Sequence, residues 1–183
     1  HHYDMARLDA KAATAYLRAG RVALVMYAHR EALKLATRGL ECLDRSGESQ
    51  RHSVVLLDLH LLVAEALRHD GRFVECMGRY RQAADLAMAL DAPEALAQAA
   101  LGYDEPRWRC NLDEPYANTL LERALARIGS GDSVLRVYLM AHLAHGSQDS
   151  MPGEKRTALL DESVAMARRL DDPRALIESL RLH

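Results

Sequence analysis

Apolar residues recur along most of this chain at three- and four-residue intervals, the spacing that gives a helix one buried face. The pattern predicts a first helix over about residues 9–26 and a second over about 28–44, ended by the Arg45-Ser46-Gly47 turn. Over about 50–68 a run through Val54, Leu57, Leu59, Leu61, Leu62 and Val63 is apolar nearly all round, as expected of a helix held between two neighbours. His69-Asp70-Gly71 closes it, and about 73–90 supplies a fourth helix. Further helices are predicted over about 93–103, 114–128, 133–145 and 153–170, with a ninth opening at Pro173 and cut short by the chain end. Gly20 falls inside the first helix, where it costs about 1 kcal/mol relative to Ala. A neighbouring helix is therefore expected to approach closely there.

A spaced set of small and aromatic residues occurs twice, 44 positions apart. The first copy is Tyr16, Ala19, Gly20, Ala23, Tyr27, Ala32, Ala36 and Gly39; the second is His60, Val63, Ala64, Leu67, Gly71, Cys76, Tyr80 and Ala83. This is the spacing of a degenerate tetratricopeptide-type helical hairpin. The small packing residue of each second helix, taken as Ala32, Cys76, Ala117 and Ala158, recurs at intervals of 44, 41 and 41. A punctuation motif also repeats, Leu90-Asp91-Ala92-Pro93 and then Leu170-Asp171-Asp172-Pro173, offset by 80. Asp at the boundary is expected to cap the next helix and Pro to occupy its first turn. The offset of 80 conflicts with the 82 between Cys76 and Ala158, so one alignment in the fourth repeat is slipped.

The fold expected is all-α: a right-handed α-solenoid of about four tetratricopeptide-like hairpins plus a partial fifth, in one domain over residues 1–183. The intervals exceed the roughly 34 residues of a regular unit, which leaves HEAT-like curvature as the structural alternative. Because the ninth helix is incomplete, the chain is expected to be a fragment of a larger multidomain protein.

Composition narrows the function classes. Ala and Leu dominate the apolar set and aromatics make up 5%, which favours helix over strand. A net charge of -2 gives no electrostatic footprint for nucleic acid, so no direct contact with it is expected. No apolar run reaches the roughly 20 residues that span a bilayer. Cys42, Cys76 and Cys110 show no paired or metal-type spacing, and a cytoplasmic setting is expected.

Three stretches carry a resemblance. Tyr16-Leu17-Arg18-Ala19-Gly20-Arg21 through Arg30-Glu31-Ala32-Leu33, then Leu120-Leu121-Glu122-Arg123-Ala124-Leu125, then Ala167-Arg168-Arg169-Leu170-Asp171-Asp172-Pro173-Arg174-Ala175-Leu176 are together similar to the helical-repeat region of large bacterial signalling ATPases. That group includes LuxR-type and antibiotic-regulatory-type transcriptional regulators and repeat-bearing adenylate cyclases. The resemblance implies a regulatory or sensor domain that binds an inducer, a partner protein or its own ATPase module. This chain has no G-x-x-x-x-G-K-[ST] loop and no basic recognition helix, so any ATPase, cyclase or DNA-binding activity would belong to other segments. The alternative is a self-standing adaptor that binds a partner peptide in its concave groove.

Candidate contacts follow from that groove. First helices of successive hairpins supply its inner face, which offers Arg18, Arg21, Asp58, Glu65, Arg68 and His69; the competing reading is a solvated face with pairs such as Glu65 and His69. The segment from Gly102 to Pro115, expected to be a loop, holds the single Trp108 between Arg107 and Arg109. It is either a stacking or anchoring site or a packing cover whose arginines pair with Asp104 and Glu105. His142 and His145 stand three apart on one helix but lack completing ligands, so no metal and no cofactor is expected. No nucleophile signature such as G-x-S-x-G is present, and the chain is not expected to be an enzyme. Leu176, Ile177 and Leu180 on the last helix make homo-oligomer assembly possible.

Overall fold

A computed structural model describes residues 2–47, 52–110, 115–148 and 150–183, with the backbone alone for residues 2–7 and Trp108. Among the described residues there are nine helices and no strand: α1 (His2–Val25), α2 (His29–Ser46), α3 (Ser53–His69), α4 (Phe73–Ala89), α5 (Pro93–Cys110), α6 (Pro115–Arg127), α7 (Val134–Gly146), α8 (Gly153–Arg169) and α9 (Pro173–Leu182). No described helix is long and apolar enough to cross a membrane.

Each helix packs on its neighbour in the chain, and the odd-numbered helices also pack on one another in the order α1, α3, α5, α7, α9. The even-numbered helices make no such mutual contact among the described residues. The odd helices thus form an inner row and the even helices an outer one. A continuous apolar core runs from Ala13 and Leu17 of α1 to Leu139 and Leu143 of α7. A smaller cluster of Val137, Met140, Met166, Ala167 and Ala175 holds α7, α8 and α9.

Four turns share one geometry. Tyr27, Gly71, Asp91 and Asp171 lie in the left-handed region, with φ of 58°, 77°, 49° and 52°. After each, an amide bonds back across the helix end: Ala28 to the Ala23 carbonyl at 2.9 Å, Arg72 to Leu67 at 3.0 Å, Ala92 to Ala87 at 2.9 Å and Asp172 to Ala167 at 3.4 Å. This closure satisfies carbonyls that a helix end leaves unpaired. Asp91 and Asp171 therefore end the preceding helix rather than cap the next one. The cap before α9 is Asp172, whose side chain accepts from the Ala175 amide at 2.9 Å.

The offset of 80 is the correct one. It brings Tyr80, Ala83, Ala84 and Ala87 onto Leu160, Ser163, Val164 and Ala167, all buried. Ala32, Cys76 and Ala117 are buried as expected of packing residues, but Ala158 is exposed. The close approach at Gly20 is present: a Cβ there would sit 2.8 Å from Leu62 Cδ2 of α3 and 3.5 Å from the Ala32 carbonyl of α2.

Two elements run longer than expected, and the first is α1, which begins at His2 rather than near residue 9. Helix α5 does not stop at Tyr103 but continues through Pro106 to Cys110, replacing much of the expected loop. Proline removes a single backbone donor and crowds the carbonyl of Gly102. Continuing the helix offsets this by burying Tyr103, Asp104, Pro106 and Arg107. Tertiary packing overrides the local breaker.

Candidate functional site

The inner row lines an open cavity of about 1020 Å³ to which all five odd-numbered helices contribute. Leu24 of α1, Leu61 and Leu62 of α3, Leu101 of α5 and Leu135 of α7 give it apolar surface. Charged and polar side chains stand between them, and ion pairs link each odd helix to the next.

Arg21 of α1 meets Asp58 of α3 at 2.9 Å. Arg68 of α3 bonds Glu65 on its own helix and Glu105 of α5, the latter at 2.8 Å. Asp104 of α5 accepts from His142 Nδ1 of α7 at 2.9 Å, and His142 Nε2 faces Glu178 of α9 at 3.4 Å. Arg181 of α9 then pairs with Glu178. Inner-row charges are thus tied across every helix boundary of the cavity.

Several of these groups are strongly perturbed, Glu65 and His142 among them. Burial works against the Glu65 carboxylate, but hydrogen bonds from Arg68 and from the Tyr80 hydroxyl, the latter 2.7 Å long, outweigh it and hold its pKa down at about 2. Burial also works against a charged His142, yet the bonds to Asp104 and Glu178 prevail and raise its pKa to about 9. His142 is an imidazolium at neutral pH, clasped by two carboxylates. It serves as a structural cation joining α5, α7 and α9.

Tyr80 reaches the cavity from α4 through a notch at Gly102, where any Cβ would overlap the Tyr80 ring. The notch explains why α5 carries Gly at that point. Sequence spacing marked Tyr80 as a packing residue and missed its polar tip.

Of the residues expected at the groove, Arg21, Asp58, Glu65 and Arg68 do line the cavity, joined by Arg109 from the segment around Trp108. His69 lies outside its lining, pairs with Glu65 at 3.1 Å and stacks on His29 with ring centroids 4.1 Å apart. Arg18 is exposed and also outside it. Its counterpart 44 positions on is Leu62, which both lines the cavity and packs back against α1 at Gly20.

Arg107 is buried and pairs with Asp104 at 2.8 Å, while Arg109 meets Glu105 at 3.4 Å. The side chain of Trp108 lies outside the described residues. The sequence did not single out Gln98, Tyr138, Arg174, Glu178 or Arg181, which also line the cavity. For two of them the offset of 80 was a signal: Glu178 stands on α9 where Gln98 stands on α5.

No protein-family model matches the chain, and no curated protein sequence matches it.

Proposed function

We propose that this chain is a tetratricopeptide-like α-solenoid segment that works as the ligand-binding sensor region of a larger bacterial regulatory protein, with the inner cavity as its receptor site. One observation carries the reading: a single cavity of about 1020 Å³ touches every inner helix from α1 to α9. Its size is at the upper end of the roughly 300–1,000 Å³ usual for small-molecule sites, and its mixture of leucines with fixed polar groups is of the same kind. A ligand seated there contacts all the inner helices at once. It therefore favours one curvature of the row over others, and that preference is what shifts a regulatory equilibrium. The reading assigns the cavity a binding role.

A thermal-shift screen of metabolites and short peptides, run in parallel on the wild type and on Leu61→Trp, tests the reading. An inducer raises the melting temperature of the wild type and leaves the filled variant unmoved. Hits confined to extended peptides would favour the adaptor role instead. Equal stabilisation of both proteins by every hit places binding elsewhere and rejects the cavity as the receptor.

A further inference from the structure

The cavity wall is out of charge balance in a direction opposite to the whole chain. The chain carries a net charge of -2. Its cavity presents five arginines against four carboxylates. All four carboxylates are already engaged: Asp58 by Arg21, Glu65 by Arg68, Glu105 by Arg68 and Arg109, and Glu178 by His142 and Arg181. Behind the wall, Asp104 is matched by His142 and Arg107. Arg174 is different. It is exposed on the first turn of α9, and no carboxylate pairs with it among the described residues.

A cationic ligand would have to displace an arginine or the His142 imidazolium from a carboxylate to find a counter-charge. A neutral ligand leaves Arg174 unmatched. An anion meets it directly, and Tyr138 of α7 also lines the cavity. The leucines of α1, α3 and α5 take up an apolar body.

Resting on the cavity being the receptor site, we propose that its ligand is an amphipathic organic anion, with a carboxylate, sulfonate or phosphate held at Arg174 and an apolar body laid on Leu24, Leu61, Leu62 and Leu101. A hydrogen bond to a charged group of this kind corresponds to about tenfold to hundredfold in affinity.

The probes are 8-anilinonaphthalene-1-sulfonate and N-phenyl-1-naphthylamine, which share an aromatic body and differ in the sulfonate. Titration of the folded chain, followed by fluorescence and calorimetry, is expected to show one saturable sulfonate site with the neutral probe at least tenfold weaker. Arg174→Gln is expected to weaken the sulfonate about tenfold and leave the neutral probe unchanged. The same change at Arg38, exposed and outside the cavity, alters neither. Because Arg174 has no ion-pair partner among the described residues, circular dichroism and the melting temperature of the variant stay at wild-type values. Equal binding of the two probes, or equal effects at Arg174 and Arg38, overturns the anion assignment while leaving the cavity as a receptor. If Leu61→Trp retains every probe at wild-type affinity, the cavity reading falls with it.

Discussion

His142 and His60 pull the pH dependence of stability in opposite directions. His142 has a folded pKa of about 9 against an ordinary 6.5, so its contribution is fully present below pH 6.5 and is lost as pH rises through 9. That window corresponds to about 3 kcal/mol. His60 is buried on α3, and desolvation together with the nearby Arg79 charge lowers its pKa to about 4. Its contribution is present above pH 6.5 and is lost as pH falls through 4. Urea unfolding followed by circular dichroism should therefore give a maximum near pH 6–7, with His142→Gln flattening the alkaline limb and His60→Gln the acid limb. An alkaline limb unchanged in His142→Gln would remove the clasped imidazolium from the account. A second prediction concerns Tyr27, held left-handed at φ 58° with its side chain exposed. A residue with a Cβ pays about 1 kcal/mol there that glycine avoids. Tyr27→Gly should stabilise the protein by about 0.5–1 kcal/mol, read as a higher urea midpoint at constant slope, and a lower midpoint contradicts the turn geometry.

At the level of elements, helix positions were legible because each helix carries its own apolar stripe and its own stop. Tyr27 and Gly71 sit at matching places in the 44-residue pattern, and both end a helix in the left-handed conformation. The side-chain role at the Asp-x-Pro motif was less legible, since Asp is suited both to N-caps and to left-handed C-terminal positions. Only the backbone distinguishes Asp171, which closes α8, from Asp172, which caps α9. The continuation of α5 was illegible for a different reason. Pro106 is a local signal, whereas the burial of Asp104 and Arg107 against α6 and α7 is tertiary. Gly102 belongs to the same element and makes the third prediction. Gly102→Ala should improve the helix by up to about 1 kcal/mol from propensity, yet it drives a methyl into the Tyr80 ring. Overpacking of this kind costs about 1–3 kcal/mol. The variant is expected to melt below the wild type, and the double variant Gly102→Ala with Tyr80→Leu to recover part of the loss. A single variant more stable than the wild type would show that the ring has room.

Over the whole molecule, the sequence pointed to an inner face but not to its membership, because a cavity is made by helices distant in sequence. Glu65, Arg68 and Asp58 were recognisable as one helix face, while Glu178 and Arg181 gain meaning only when α9 arrives beside His142. The same geography predicts uneven stability. The main core runs through α1 to α7, whereas α8 and α9 rely on the smaller cluster around Val137, Met140 and Met166, the Asp172 cap and the Glu178 pair. Local opening free energies follow the amount of buried apolar contact. Native-state hydrogen exchange should therefore find amides of α3, α4 and α5 exchanging only through global unfolding and those of α8 and α9 through a cheaper opening. Asp172→Ala removes the cap, worth about 1 kcal/mol, and should lower protection in α8 and α9 by that amount while leaving α3 to α5 unchanged. A uniform loss across all helices would mean that the molecule opens as one unit, and that a ligand binding at Arg174 stabilises the first hairpin as strongly as the last.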